Sequence, residues 1–169
     1  MYETHICYRV IKSPIGNLLI GASPIGLCLV KFDFDPLTVP TSDPIDGPSH
    51  YSIDILDNTE SQLNEYFSEN RKGFDIKLDI QGTVFQEKVW QELVKVPYGN
   101  TRTYLEQAKF LGDEKAIRAV ATANGKNHIP IIIPCHRIIG SDGKLTGYAG
   151  GLWRKQFLLE LESKQLNLF

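Results

Sequence analysis

No apolar run in this 169-residue sequence approaches the roughly 20 residues that span a bilayer. Met1 to Val10 also lacks the basic-then-apolar layout of a secretion signal, so the expectation is a protein that stays inside the cell. Cysteine is scarce. Cys7, Cys28 and Cys135 are odd in number and widely spaced, which argues against a disulfide framework and leaves each thiol to be explained singly. A surplus of one charge sign is missing too. With 18 Lys+Arg against 20 Asp+Glu, the net charge of −2 excludes a protein that binds polyanions with its whole surface. Core-forming residues are not lacking: 42% hydrophobic and 22% charged residues suffice for one or two small domains.

The near-neutral average hides an asymmetry. Residues 1–81 hold 6 basic against 12 acidic side chains, and residues 82–169 hold 12 against 8. Between Lys115 and Lys155 the basic residues Lys115, Arg118, Lys126, Arg137, Lys144, Arg154 and Lys155 face Asp142 alone. Ordinary solvated lysines and arginines would give the same count, but a local basic surface also attracts phosphate through counterion release.

Pattern divides the chain in two, at residues 1–80 and 81–169. In the first part, apolar stretches at His5–Ile11, Leu18–Ile20 and Leu27–Phe34 alternate with the turn signals Ser13-Pro14-Ile15-Gly16 and Ser23-Pro24-Ile25-Gly26. They predict an antiparallel meander. Prolines at 36, 40, 44 and 48 predict an exposed loop from Asp35 to Ser49. Thr59-Glu60-Ser61-Gln62 has capping-box spacing ahead of Leu63, Tyr66 and Phe67, predicting a helix of about three turns packed on the sheet. Phe74–Leu78 alternates as a strand or extended linker.

After Gly82 the periodicity is helical. Thr83–Gln86 is a second capping box, and Phe85, Val89, Trp90, Leu93 and Val94 form one apolar face that stops at Pro97-Tyr98-Gly99. Thr103–Glu106 opens a short helix ended by Gly112, and Asp113 can cap the next helix at Glu114–Ala123. Two helices across so tight a turn resemble a helix-turn-helix. Alanines at 116, 119, 121 and 123 leave the second helix slim, with Lys115 and Arg118 projecting from it. Alanine is also simply the best helix former.

Two prolines are expected to keep Ile129–Pro134 extended, leading into Cys135-His136-Arg137. Thiolate is the reactive form of cysteine, and a free thiol titrates near 8.5, so a nucleophile needs a base or cations beside it. His136 and Arg137 supply both types. Neighbours in extended chain point apart, so contact between Cys135 and His136 is as open to a water relay as to a direct bond. Cys7 and Cys28 sit in strand patterns and read as core.

Gly82–Gln86 with Val89-Trp90, Pro97-Tyr98-Gly99, Tyr104, Arg118-Ala119-Val120, Ala123-Asn124-Gly125, Pro134-Cys135-His136-Arg137, Gly147-Tyr148-Ala149-Gly150-Gly151 and Leu158–Glu162 run in order through the whole second part. This series resembles the O6-alkylguanine-DNA alkyltransferase family, also called methylated-DNA–protein-cysteine methyltransferases. The first part matches loosely, at Ser13–Gly16 and Tyr66-Phe67. The resemblance implies an N-terminal α/β (α+β) domain on a small antiparallel sheet, and a mostly helical C-terminal domain whose helix-turn-helix enters the minor groove of double-stranded DNA.

The same resemblance implies roles. Cys135 is the irreversible alkyl acceptor, for O6-alkylguanine and for O4-alkylthymine. His136 deprotonates it, Glu162 orients that histidine, Tyr104 donates toward N3 of the leaving guanine, and Asn127 braces the turn. Arg118 fills the vacated stack, with Lys115, Ala119, Thr103 and Arg137 against DNA. Tyr148, Ala149, Gly150, Gly151 and Ile138 form the substrate pocket. Taken without the resemblance, Tyr104 reads equally as core, Glu162 as a solvated charge and 148–151 as a glycine-rich turn.

No cofactor is implied, and no membrane; a monomer in the cytoplasm, or the nucleus of a eukaryote, is. Zinc-bearing relatives hold metal in the first domain, but His5, Cys7, Cys28 and His50 do not reproduce that ligand spacing, so no metal site is expected. Non-repairing relatives replace the nucleophile, whereas Cys135 is intact. Lys126 and His128 around Asn127 depart from the family pattern and bear on fine pocket shape. Two other classes remain: a DNA-binding regulator with an inert cysteine, and a Cys-His-Glu hydrolase of small molecules, which would turn over activated esters without salt-dependent DNA affinity.

Overall fold

The computed structural model describes residues 6–39 and 50–164. The chain divides into two compact units, Met1–Gln81 and Gly82–Phe169. His5 and residues 40–49 of the proline-rich loop lie outside the described residues; Pro36–Thr38 of that loop forms one 3-10 turn capped by Asp35.

In the first unit, β1 (Cys7–Ile11), β2 (Leu18–Ala22) and β3 (Leu27–Lys31) form an antiparallel meander in the order β1-β2-β3. The register pairs Cys7 with Ala22 and Ile11 with Leu18. The central strand β2 is buried at every position. At the second turn the Ser23 hydroxyl accepts from the Ile25 and Gly26 amides and donates to Asp79 at 2.6 Å. Gly26 is required there, because a Cβ would stand 2.6 Å from the Lys77 carbonyl oxygen. That close approach exists because residues 77–79 run beside Leu27, whose amide donates to Lys77 and whose carbonyl accepts from Asp79. Phe74–Leu78 is therefore extended chain with one parallel bridge at Leu78.

Helix α1 (His50–Phe67) packs on all three strands and is longer than its sequence signal. The start expected at Thr59 is corrected. Thr59 is a fully buried mid-helix residue whose hydroxyl donates to the Ile55 carbonyl at 2.7 Å, one turn back. Ser52, Leu56, Thr59, Leu63 and Tyr66 recur at helical spacing on the buried face, so tertiary packing extends the helix past the capping-box look-alike.

The second unit follows its local signals more closely. Helix α2 (Val84–Val94) begins at Thr83, whose hydroxyl accepts from the Gln86 amide while the Gln86 side chain accepts from the Thr83 amide. Helix α3 (Tyr104–Phe110) repeats the device with Thr103 and Glu106, and ends before Gly112, at φ 87°. Asp113 caps a single 3-10 turn, Glu114–Ala116, and α4 follows at Ile117–Gly125, so the helix expected from 114 starts at 117. Trp90 Nε1 donates to the Ala123 carbonyl at 2.9 Å, and the Gln107 and Asn124 amides bond reciprocally. These bonds tie α4 to α2 and α3. Short strands β4 (Arg102–Thr103) and β5 (Ile138–Ile139) pair in parallel, and α5 (Leu152–Lys164) closes the unit.

Candidate active site

The segment before Cys135 is not extended. Pro130 and Ile133 bridge each other, the Ile133 amide donates to the Ile129 carbonyl, and buried Ile131 turns the chain at φ 76°. A β-branched residue in the left-handed region is strained and persists only where its surroundings over-determine it. Here Asn127 does so: its Oδ1 accepts from the Ile129 amide at 2.9 Å and its Nδ2 donates to the Ile133 carbonyl at 2.8 Å. The same Nδ2 reaches Cys135 Sγ at 3.3 Å. Prolines in this segment therefore shape a turn, and the cysteine is presented from it.

Cys135, His136 and Arg137 occupy one 3-10 turn, all three buried. His136 Nε2 lies 2.8 Å from Glu162 Oε1. Arg137 grips the same carboxylate with two nitrogens at 2.9 Å and donates to the Val96 carbonyl at 2.7 Å. Burial favours the neutral carboxyl of Glu162, but its bonds and charges from His136 and Arg137 outweigh that and hold it down at about 2. For His136 burial dominates, helped by the Arg137 and Lys155 charges, and the imidazole titrates below its ordinary value despite Glu162. An ionised carboxylate can only accept, so the neutral imidazole carries its proton on Nε2. Nδ1 is left as a buried base with no hydrogen-bond partner among the described residues. The Cys135 thiol itself is pushed up by burial, against opposing pulls from Asn127 and Lys155. It needs such a base.

Cys135 opens onto a cleft of about 530 Å³, a size usual for small-molecule sites. Tyr104, Ile117, Arg118, Ala121, Asn124 and Gly125 form its helical wall, and Thr146, Gly147, Tyr148 and Ala149 form its loop wall. The Tyr104 hydroxyl donates to the Thr146 carbonyl at 2.9 Å, and burial raises its phenol above the usual value. Burial raises Tyr148 further still. Gly147 adopts φ 54°, which favours glycine as the loop passes the Tyr104 hydroxyl.

Of the residues singled out from sequence, Cys135, Asn127, Tyr104, Arg118, Tyr148 and Ala149 are gathered in or directly around the cleft, with His136 and Glu162 in the buried network that begins next to Cys135. Lys115 and Ala119 are exposed near Arg118, and Thr103 is half-buried at its cap. Arg137 is corrected: its guanidinium is buried and bonded to Glu162 and Val96 instead of being presented at the surface. Ile138 is corrected as well, being fully buried in β5 and absent from the cleft wall. Gly150 and Gly151 also lie off that wall. The Gly150 carbonyl accepts from Arg154 at 2.8 Å, and Gly151 turns the chain into α5.

The basic stretch is smaller at the surface than its count suggests, because Arg137, Arg154 and Lys155 are buried. Lys155 was missed as a site residue. The available signal was its place two turns before Glu162 on one face of α5. Among the described residues no group of three or more His, Cys, Asp or Glu side chains is placed to hold a metal ion. No helix there is long and apolar enough to cross a membrane.

Comparison with known proteins agrees with this geometry. The family described as "6-O-methylguanine DNA methyltransferase, DNA binding domain" matches residues 84–164, and its "ribonuclease-like domain" matches residues 6–80. A methylated-DNA–protein-cysteine methyltransferase of Methanosarcina acetivorans is 45% identical, covering 92% of this chain and 97% of that protein. One from Mycobacterium tuberculosis is 46% identical, covering 95% and 94%. The crystal structure of M. tuberculosis O6-methylguanine methyltransferase superposes with a TM-score of 0.80 at 40% identity, over 97% of this chain and 96% of that one. M. tuberculosis OGT in complex with DNA gives 0.80 at 43%, over 94% and 93%. Identity at this level across nearly the whole length, on the same fold, means that this chain belongs to the methylated-DNA–protein-cysteine methyltransferase family.

Proposed function

We propose that this protein repairs alkylated DNA by direct reversal, moving the alkyl group from O6 of guanine, and from O4 of alkylated thymine, onto Cys135. The observation that carries this reading is Cys135 at a cleft wall, held by Asn127, on the same turn as a neutral His136 whose Nε2 is committed to ionised Glu162. His136 Nδ1 takes the thiol proton through a bridging water. The sulfur then attacks the alkyl carbon, an S–C bond forms, the C–O6 bond breaks, and the base leaves with its electron pair. Tyr104 turns its hydroxyl from Thr146 to N3 of that base and neutralises it.

In-stack O6 is hemmed in by neighbouring bases and cannot accept backside attack, so the damaged nucleotide must be flipped out. The tight α3–α4 pair acts as a helix-turn-helix in the minor groove of double-stranded DNA. From it Arg118 enters the vacated stack, while Lys115, Ala119 and Thr103 lie along the backbone. Backbone amides of Tyr148 and Ala149, the two residues of the 148–151 loop on the cleft wall, bond the base. The scheme uses no cofactor and one protein per lesion, consistent with a monomer in the cytoplasm, or the nucleus of a eukaryote.

The thioether product is a poor leaving group, and nothing at the site would hydrolyse it. Titration with excess O6-methylguanine duplex should stop at about one alkyl group per protein, on the Cys135 peptide by mass spectrometry. Turnover past that plateau without an added acceptor would reject alkyl transfer in favour of a hydrolase. Binding without mass gain would leave a DNA-binding module.

A further inference from the structure

Lysine is almost never fully buried without a partner, yet Lys155 on α5 has no exposed surface. Among the described residues no carboxylate stands within ion-pair distance of it. Its Nζ donates instead to the Thr146 carbonyl at 2.8 Å and the Gly147 carbonyl at 3.3 Å, both on the loop wall of the cleft. The Thr146 oxygen is shared, because the Tyr104 hydroxyl donates to it as well, and the ammonium sits 5.7 Å from the centre of the Tyr104 ring. The charged and titratable groups facing Lys155 are Cys135 and His136 from the 3-10 turn and Tyr104 from α3.

We propose that Lys155 is a positioning residue for alkyl transfer: its ammonium anchors the Thr146–Gly147 loop wall and keeps the Thr146 carbonyl bonded when the Tyr104 hydroxyl turns to the substrate. Without it, redirecting that hydroxyl would take from the Thr146 carbonyl the last of its two side-chain donors, and the loop would follow the phenol. The positive charge also opposes protonation of the nearby sulfur. This assignment rests on the alkyl-transfer reading above.

Burial lowers Lys155 to about 8, so the ammonium, and with it the anchor, is lost as pH rises through that value. The test is the rate of Cys135 alkylation by free O6-benzylguanine between pH 6 and 10, with melting temperature and duplex affinity measured alongside. Wild-type protein should lose rate above about pH 8. Lys155→Met should be slower at neutral pH by on the order of 10- to 100-fold, as expected for a misplaced reacting group, and should lack the alkaline fall. Lys155→Arg, whose charge does not titrate in this range, should recover part of the rate and hold it through pH 9. Binding to undamaged duplex should not change.

A folded Lys155→Met variant that reacts at the wild-type rate overturns the assignment, as does an alkaline fall that persists in Lys155→Arg. Should the methionine variant fail to fold, the arginine variant and the wild-type profile decide alone. Wild-type protein that gains no alkyl group refutes the transfer reading itself. Normal wild-type reaction beside an unaffected methionine variant refutes only the role of Lys155.

Discussion

The two units bury polar groups in opposite ways. In the first, the buried polar side chains among the described residues are Ser23, Ser52, Thr59, Gln62 and Asp79, and those with bonds described spend them on a turn, on a bond back along α1 and on helix–loop ties. In the second, His136, Arg137, Arg154, Lys155 and Glu162 are all buried, and most converge behind Cys135. Taking charges out of water costs several kcal/mol each, and an apolar core of the same shape is often at least as stable. The contrast teaches that the second interior is arranged around a reaction. Its charges set the tautomer of His136, keep Glu162 ionised and brace the turn that presents the sulfur.

The two units should differ most at their cysteines. Cys135→Ala should abolish alkyl transfer while duplex binding stays within a few fold, because the thiol supplies the chemistry and exposed basic residues such as Lys115 and Arg118 the affinity. Cys7→Ala and Cys28→Ala, in the sheet of the first unit, should retain transfer. Mass spectrometry after incubation with O6-methylguanine duplex, paired with a binding titration, checks both. Removal of O6-methylguanine by the Cys135 variant would identify another nucleophile.

A smaller effect separates the interiors by charge. Glu162→Gln leaves Arg137 buried without a counter-ion and should cost roughly 3–5 kcal/mol in urea denaturation, besides slowing transfer. Acid should act on the same network. His136 titrates low in the fold, so its contribution is present above about 6.5 and falls as pH drops below that. Glu162, held at about 2, adds a second loss as pH falls from the ordinary carboxylate range toward that value. Hydrogen exchange read separately for the two units should show amides of the second losing protection between pH 7 and 5. Equal losses in both would remove the buried network as the cause.

The smallest expected difference concerns two threonines with the same sequence signature. Thr83→Val removes a working N-cap and should lower stability by about 1 kcal/mol. Thr59→Val removes only a bond back to a carbonyl already inside a helix, and should stay within about 0.5 kcal/mol. Chemical denaturation of the pair measures it; equal costs would mean that α1 depends on Thr59 as a start.

Local chemistry in the sequence determined the two serine-proline turns of the meander and the capped starts of α2 and α3, because each rests on bonds between residues at most a few positions apart. Tertiary structure alone decided the rest. Helix α1 runs back to His50 because its face packs on three strands, and Ile129–Pro134 turns rather than extends because Asn127 bonds both ends of it. Arg137 and Lys155 looked like part of a basic surface, yet one is clamped by a carboxylate 25 residues away and the other by the cleft loop. A charged residue is buried only where distant partners meet it, and that meeting is a property of the folded chain.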